Sequence, residues 1–176
     1  MTRTISSQQG ATLAETLIAL AVALTLAIAA WPMLRDMHAT MIATQTADRL
    51  AASLALARST AANRRMEVLL EPLGDNTALD HGWQLSVPDA DADTTDAPFA
   101  VVALNERCLG VALRGTGGAA GSQSLRLTAV GYSRSEHGGF FAATFQVSCG
   151  HAQRQVRLGA QGRIRICQPG VDTDCD

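Results

Sequence analysis

Apolar positions along the chain fall into three successive textures. Residues 17–33 are dominated by Ala, Leu, Ile and Val, and with residues 11–16 added the run reaches the roughly 20 residues that cross a bilayer core. Helical spacing then continues to about Asn63. Leu34, Met37 and Met41 form one stripe and Leu50, Leu54, Ala57 and Ala61 a second, at i, i+3 or i+4. Alanine is abundant and glycine absent there, which suits a long helix packing these stripes on the rest of the chain. Pro32 is expected to kink it, because proline lacks an N–H and crowds the preceding turn. Past the helix the texture changes to short runs with β-strand residues, separated by Gly, Pro and Asp. Strands are expected at 66–71, 82–87, 99–104, 109–114, 124–130, 141–148, 154–158 and 163–167, with loops at 73–81, 88–98, 115–122 and 133–139.

Polar residues frame the apolar run. Arg3 precedes it and Arg35-Asp36 follow it, a weak bias placing the N-terminus in the cytoplasm. The polar leader ends in Gly10, and Glu15 stands five residues later at the mouth of the apolar helix. An ionised group in a membrane segment is costly and needs a reason. A secretory signal would be cut after its apolar region, whereas here Gly10 lies before it and no clear A-x-A site closes it; an ordinary anchor with an incidental glutamate is the other alternative. The pattern Gly10-Ala11…Glu15 resembles the class III leader of type IV pilins and pseudopilins. That resemblance implies cleavage by prepilin peptidase between Gly10 and Ala11, N-methylation of the new terminus, and docking of subunits through Glu15. Ala11 departs from the phenylalanine more usual in that family. Pro32 would be the twenty-second mature residue, where such pilins often carry proline. The stretch Leu54-Ala55-Leu56-Ala57-Arg58-Ser59-Thr60-Ala61, followed by Arg64-Arg65, is similar to the helix end of the FimT/GspH family of minor pilins.

The chain has 176 residues and a formal net charge of −2, so no global basic field argues for nucleic acid or a membrane surface. All 14 basic residues are arginine. Cys108, Cys149, Cys167 and Cys175 all follow the apolar run, and an even count in an exported domain favours disulfides. Four cysteines allow three connectivities. If 141–148, 154–158 and 163–167 are consecutive antiparallel neighbours, Cys149 and Cys167 flank one strand at roughly 9–10 Å. A disulfide reaches only about 7 Å between Cα atoms, which favours Cys167–Cys175 with Cys108–Cys149. The acids of 89–96 lack the glycine and terminal glutamate of an EF-hand loop, so a solvated loop is expected rather than a metal site. His38, His81, His137 and His151 are scattered and no nucleophile motif occurs. Neither an enzyme nor a cofactor is expected.

Residues 150–167 carry four arginines and no acid. Strand alternation sets Val156, Leu158, Ile164 and Ile166 toward a core. Arg157, Arg163 and Arg165 then share the outward face of a hairpin turning at Gly159–Gly162, with Arg154 on the other face near its open end. Clustered guanidiniums suit phosphate oxygens; a solvated edge kept soluble by charge is the alternative. Gly162-Arg163-Ile164-Arg165 resembles the C-terminal G-R-x-R motif of FimT-type minor pilins, which bind extracellular DNA during natural transformation. The resemblance assigns Arg163 and Arg165 a role on the DNA backbone, independent of sequence; strand geometry adds Arg154 and Arg157.

The whole reading is an α+β chain with the type IV pilin fold, a long N-terminal helix on an antiparallel β-rich head. Its parts would be a leader (1–10), a transmembrane half-helix (11–33), an amphipathic half-helix (34–65), the head (66–167) and a tail (168–176). Partners implied are DNA, prepilin peptidase, other major and minor pilins, the inner-membrane assembly platform and lipid. The expected location is the inner membrane, single-pass with a periplasmic head, and then an extracellular pilus. The alternative function is purely structural, as a minor pilin or a GspH-like pseudopilin of type II secretion.

Overall fold

The computed structural model describes residues 13–74, 78–88, 97–115, 123–134 and 142–175. Gly10, Ala11 and the acidic stretch 89–96 lie outside the described residues. Helix α1 (Leu13–Arg64) runs for 52 residues with Pro32 inside it and Glu15 in its first turn. It stops where Arg65 takes a left-handed φ of 55° and the Met66 N–H reaches back to the Ala61 carbonyl at 3.2 Å. That six-to-one closure is a Schellman cap, with arginine where glycine is usual.

The chain divides into two compact units, 1–37 and 38–176. In the first, the large apolar side chains are exposed, from Leu13 and Leu17 to Trp31 and Met33. The helix is long and apolar enough there to cross a membrane. In the second, α1 buries Ala43, Ala47, Leu50, Leu54, Ala57 and Ala61, steps of four and three that hold one face toward the sheets. The second expected stripe therefore packs as anticipated, and the first does not. Leu34, Met37 and Met41 are all exposed, because at 100° per residue they fall well round the helix from the Ala43 face.

Nine strands follow among the described residues. One sheet holds β1 (Val68–Pro72), β2 (Gly82–Ser86), β3 (Ala100–Ala103), β5 (Leu125–Leu127) and β6 (Ser133–Arg134), in the order β3-β2-β1-β5-β6. The other holds β4 (Leu109–Gly115), β7 (Ala143–Cys149), β8 (Ala152–Leu158) and β9 (Ile164–Cys167), in the order β4-β7-β8-β9. Every neighbouring pair is antiparallel. Two expectations need correction. The strand expected at 124–130 ends at Leu127, because Thr128 and Tyr132 close a turn through the Thr128 N–H to the Tyr132 carbonyl at 2.8 Å. That turn directs Ser133 and Arg134, expected as loop, back beside β5 as β6.

The core lies between α1 and the inner faces of the sheets, around Trp83, Phe145, Leu70, Leu85, Leu125 and Leu127. Trp83 is fully buried, and its indole N–H donates to Ser53 Oγ at 2.9 Å. Ser53 in turn donates to the Arg49 carbonyl at 2.9 Å, so both the indole and the hydroxyl hydrogen find an acceptor. The exposed edge of β4 is covered by side chains. The Val111 N–H donates to Asp80 Oδ1 at 2.6 Å and the Leu113 N–H to Gln123 Oε1 at 3.1 Å, which blocks strand addition there. Cys108 is bonded to Cys149, joining the start of β4 to the end of β7, and Cys167 to Cys175, closing the tail. This is the pairing that the strand order favoured, and β7, β8 and β9 are the consecutive neighbours on which it rested.

Candidate functional site

The four-stranded sheet has one face on the core and one turned away from it. Along β7 the burial alternates strictly, with Ala143, Phe145, Val147 and Cys149 buried. Thr144, Gln146 and Ser148 therefore occupy the outer face. Register carries that assignment across the sheet. Arg114 lies opposite Thr144, Thr144 opposite Arg157, and Arg157 opposite Arg165. Three arginines from β4, β8 and β9 thus stand in one row with a threonine between them. The row crosses three strand spacings, about 14 Å. Arg114 and Arg165 are exposed and Arg157 is half-buried. Arg157 and Arg165 face each other directly, and like charges so placed are destabilising unless something offsets them.

Arg163 is exposed and lies just before β9, at the hairpin end of the same edge. Arg154 is separate. It is half-buried, on the core-side parity of β8 beyond the end of β9, and its guanidinium donates to the Gln153 carbonyl at 2.9 Å. Of the four arginines singled out by sequence, the structure groups Arg157, Arg163 and Arg165. Sequence reasoning missed Arg114. Alternation in β4 already marked Leu109, Val111 and Leu113 as inward and Arg114 as outward; only the topology could show that β4 lies beside β7.

The β8–β9 turn is held by α1. The Gly162 N–H donates to the Gly159 carbonyl at 2.7 Å and the Gly159 N–H to the Arg163 carbonyl at 2.9 Å. Arg58 Nη1, from the helix, donates to the Gly162 carbonyl at 2.9 Å. Gly162 has φ 79°, and a Cβ there would collide with the Gly131 carbonyl and lie 2.8 Å from Arg58 Nε. The glycine before Arg163 is thus required by backbone shape and by close approach. The inward side of the hairpin is less covered than expected: Ile164 is half-buried and Ile166 is 41% exposed. Being an edge strand, β9 has a neighbour on one side only. The tail's Asp172 accepts the Gln168 N–H at 2.6 Å, so this carboxylate is engaged within its own loop. Among the described residues no group of three His, Cys, Asp or Glu could hold a metal.

Residues 46–162 match the family model described as type II transport protein GspH. The chain belongs to the GspH family. The matched span takes in Arg58 and ends at Gly162, so Arg163 and Arg165 lie just beyond it. Among solved structures, the type IV minor pilin FimU of Pseudomonas aeruginosa is similar, with TM-score 0.54 and 19% identity over 81% of this chain and 99% of that one. The minor pseudopilin EpsH of the Vibrio cholerae type 2 secretion system matches with TM-score 0.50 and 16% identity, over 73% of this chain and 98% of its own. No curated protein matches by sequence. This member of the GspH family has the type IV pilin fold, a long N-terminal helix followed by antiparallel sheets.

Proposed function

We propose that this GspH-family chain is a minor pilin that holds DNA by its phosphate backbone during uptake. The observation carrying the reading is the register that aligns Arg114, Arg157 and Arg165 across the outer face of the four-stranded sheet, with Arg163 beside them. At 3.4 Å of duplex axis per phosphate of one strand, the row of about 14 Å covers the axial length of roughly four phosphates. Guanidiniums bind such oxygens bidentately, and backbone contacts carry no sequence information. Binding is therefore expected to be sequence-independent and, for so small a footprint, micromolar or weaker.

The rest of the chain serves assembly. The exposed apolar first unit would lie in the inner membrane after prepilin peptidase removes the residues before Ala11, with the head in the periplasm. Other pilins, lipid and the assembly platform would then cover Leu34, Met37 and Met41. Fluorescence anisotropy of the full chain in detergent tests the DNA reading. Arg163→Ala with Arg165→Ala should abolish most binding while circular dichroism stays unchanged; undiminished binding would remove the hairpin as the site. A purely structural subunit of a secretion pseudopilus is the second reading. It is favoured by the family match ending at Gly162 and by the purely structural work that Gly162 does for Arg58. Complete failure of the wild-type chain to bind DNA at low salt would decide for it.

A further inference from the structure

One step along the strands from the arginine row, the same outer face is hollow. Gly110 and Ala112 of β4 carry almost no side chain, and the depression above them has a volume of about 120 Å³. Gln146 and Gln155, register partners side by side on β7 and β8, line it. Pro169 bounds it from the tail, in the ring closed by Cys167–Cys175, and Cys175 Sγ lies 3.7 Å from Gln155 Oε1. Arg154, which stands apart from the arginine row, also lines this pocket.

The pocket's chemistry is specific. Each glutamine amide offers both a donor and an acceptor, as does the edge of a nucleobase. The volume is close to that of a cavity of about 150 Å³ that admits benzene, so it suits one six-membered ring. Ala112 and Gln155 precede Arg114 and Arg157, and Gln146 follows Thr144, by two residues of strand, about 6.7 Å. A nucleotide whose phosphate sits on the row can therefore turn its base into the hollow. A base inside a duplex cannot do so, since its edge is paired and its faces are stacked.

Resting on the DNA reading above, we infer that the Gln146–Gln155 pocket accepts an unstacked pyrimidine, so that the head prefers single-stranded to duplex DNA. The test compares oligo-dT with a duplex of equal length on the full chain in detergent, at one low salt concentration. Oligo-dT is expected to bind about tenfold more tightly, the scale of capturing one base. Ala112→Leu fills the hollow from an exposed position and should bring single-strand affinity down to the duplex level. Duplex affinity and the circular dichroism spectrum should stay unchanged. Gln146→Leu removes one amide and should lower the preference in the same direction. Equal binding of both forms by the wild type, or a preference that survives in folded Ala112→Leu, overturns the pocket while leaving the arginine row standing. No binding of either form overturns both.

Discussion

Arg58 belongs to the helix yet acts on a segment 104 residues away. Its guanidinium holds the carbonyl of Gly162, the residue that launches Arg163 and Arg165. A charge-assisted bond of this kind contributes about 1–3 kcal/mol. Arg58→Ala is expected to lower stability by about 1–2 kcal/mol, read from the denaturant midpoint, and to weaken DNA binding although the residue need not touch DNA. Gly162→Ala should cost at least as much, because it adds strain at φ 79° to a collision with the Gly131 carbonyl. Ser53 offers a separate check on the core. Ser53→Ala leaves the buried Trp83 N–H without its acceptor, an expected loss of about 1–3 kcal/mol. A midpoint unchanged in this variant would show that the bond under α1 contributes nothing net.

The arginine row exists only at the level of strands, and its salt dependence reports its size. With Arg114, Arg157, Arg163 and Arg165 each neutralising one phosphate, log affinity for duplex should fall with a slope of about −3.6 against log salt. Raising salt from about 50 to 200 mM then weakens binding roughly 150-fold. Arg114→Ala should reduce the slope by about 0.9; an unchanged slope would exclude β4 from the interface. What sequence revealed here follows the range of each interaction. Alternation is local, so β4, β7, β8 and β9 were legible to within two residues, and the outward parity of Arg157 and Arg165 with them. Partnership across β4 and β7 is not local, so Arg114 went unseen. The two residues of β6 are too few to show a period, and they are held by the Thr128–Tyr132 turn rather than by their own preference. Helical phase set Leu50, Leu54, Ala57 and Ala61 correctly. It failed for Leu34, Met37 and Met41 because apolar character alone does not say whether the covering surface is this chain or something else.

At the scale of the whole molecule, the exposed apolar helix demands a lipid or protein surround. Leaving side chains such as Leu17, Leu24 and Ile28 in water would forfeit about 1.5–3 kcal/mol each. Glu15 lies in the first turn of that helix, where the N-terminal end of the dipole favours a carboxylate. In a membrane its charge still needs a positive partner, and cleavage after Gly10 would create an amine on every subunit within a few residues of it. Intact mass of the protein from native membranes should therefore show a chain beginning at Ala11; one beginning beyond Thr25 would mean a signal peptidase cut and undo the pilin assembly scheme. Given that amine, Glu15→Ala should insert in the membrane as well as wild type or better, since it removes a cost of about 2.5–3.5 kcal/mol at the helix centre and less near its end. Incorporation into filaments should fall, because the neighbouring subunit's amine loses its counter-charge. Sheared filaments quantified against membrane-bound protein separate the two effects. Equal incorporation of the alanine variant would mean that apolar packing alone sets subunit register.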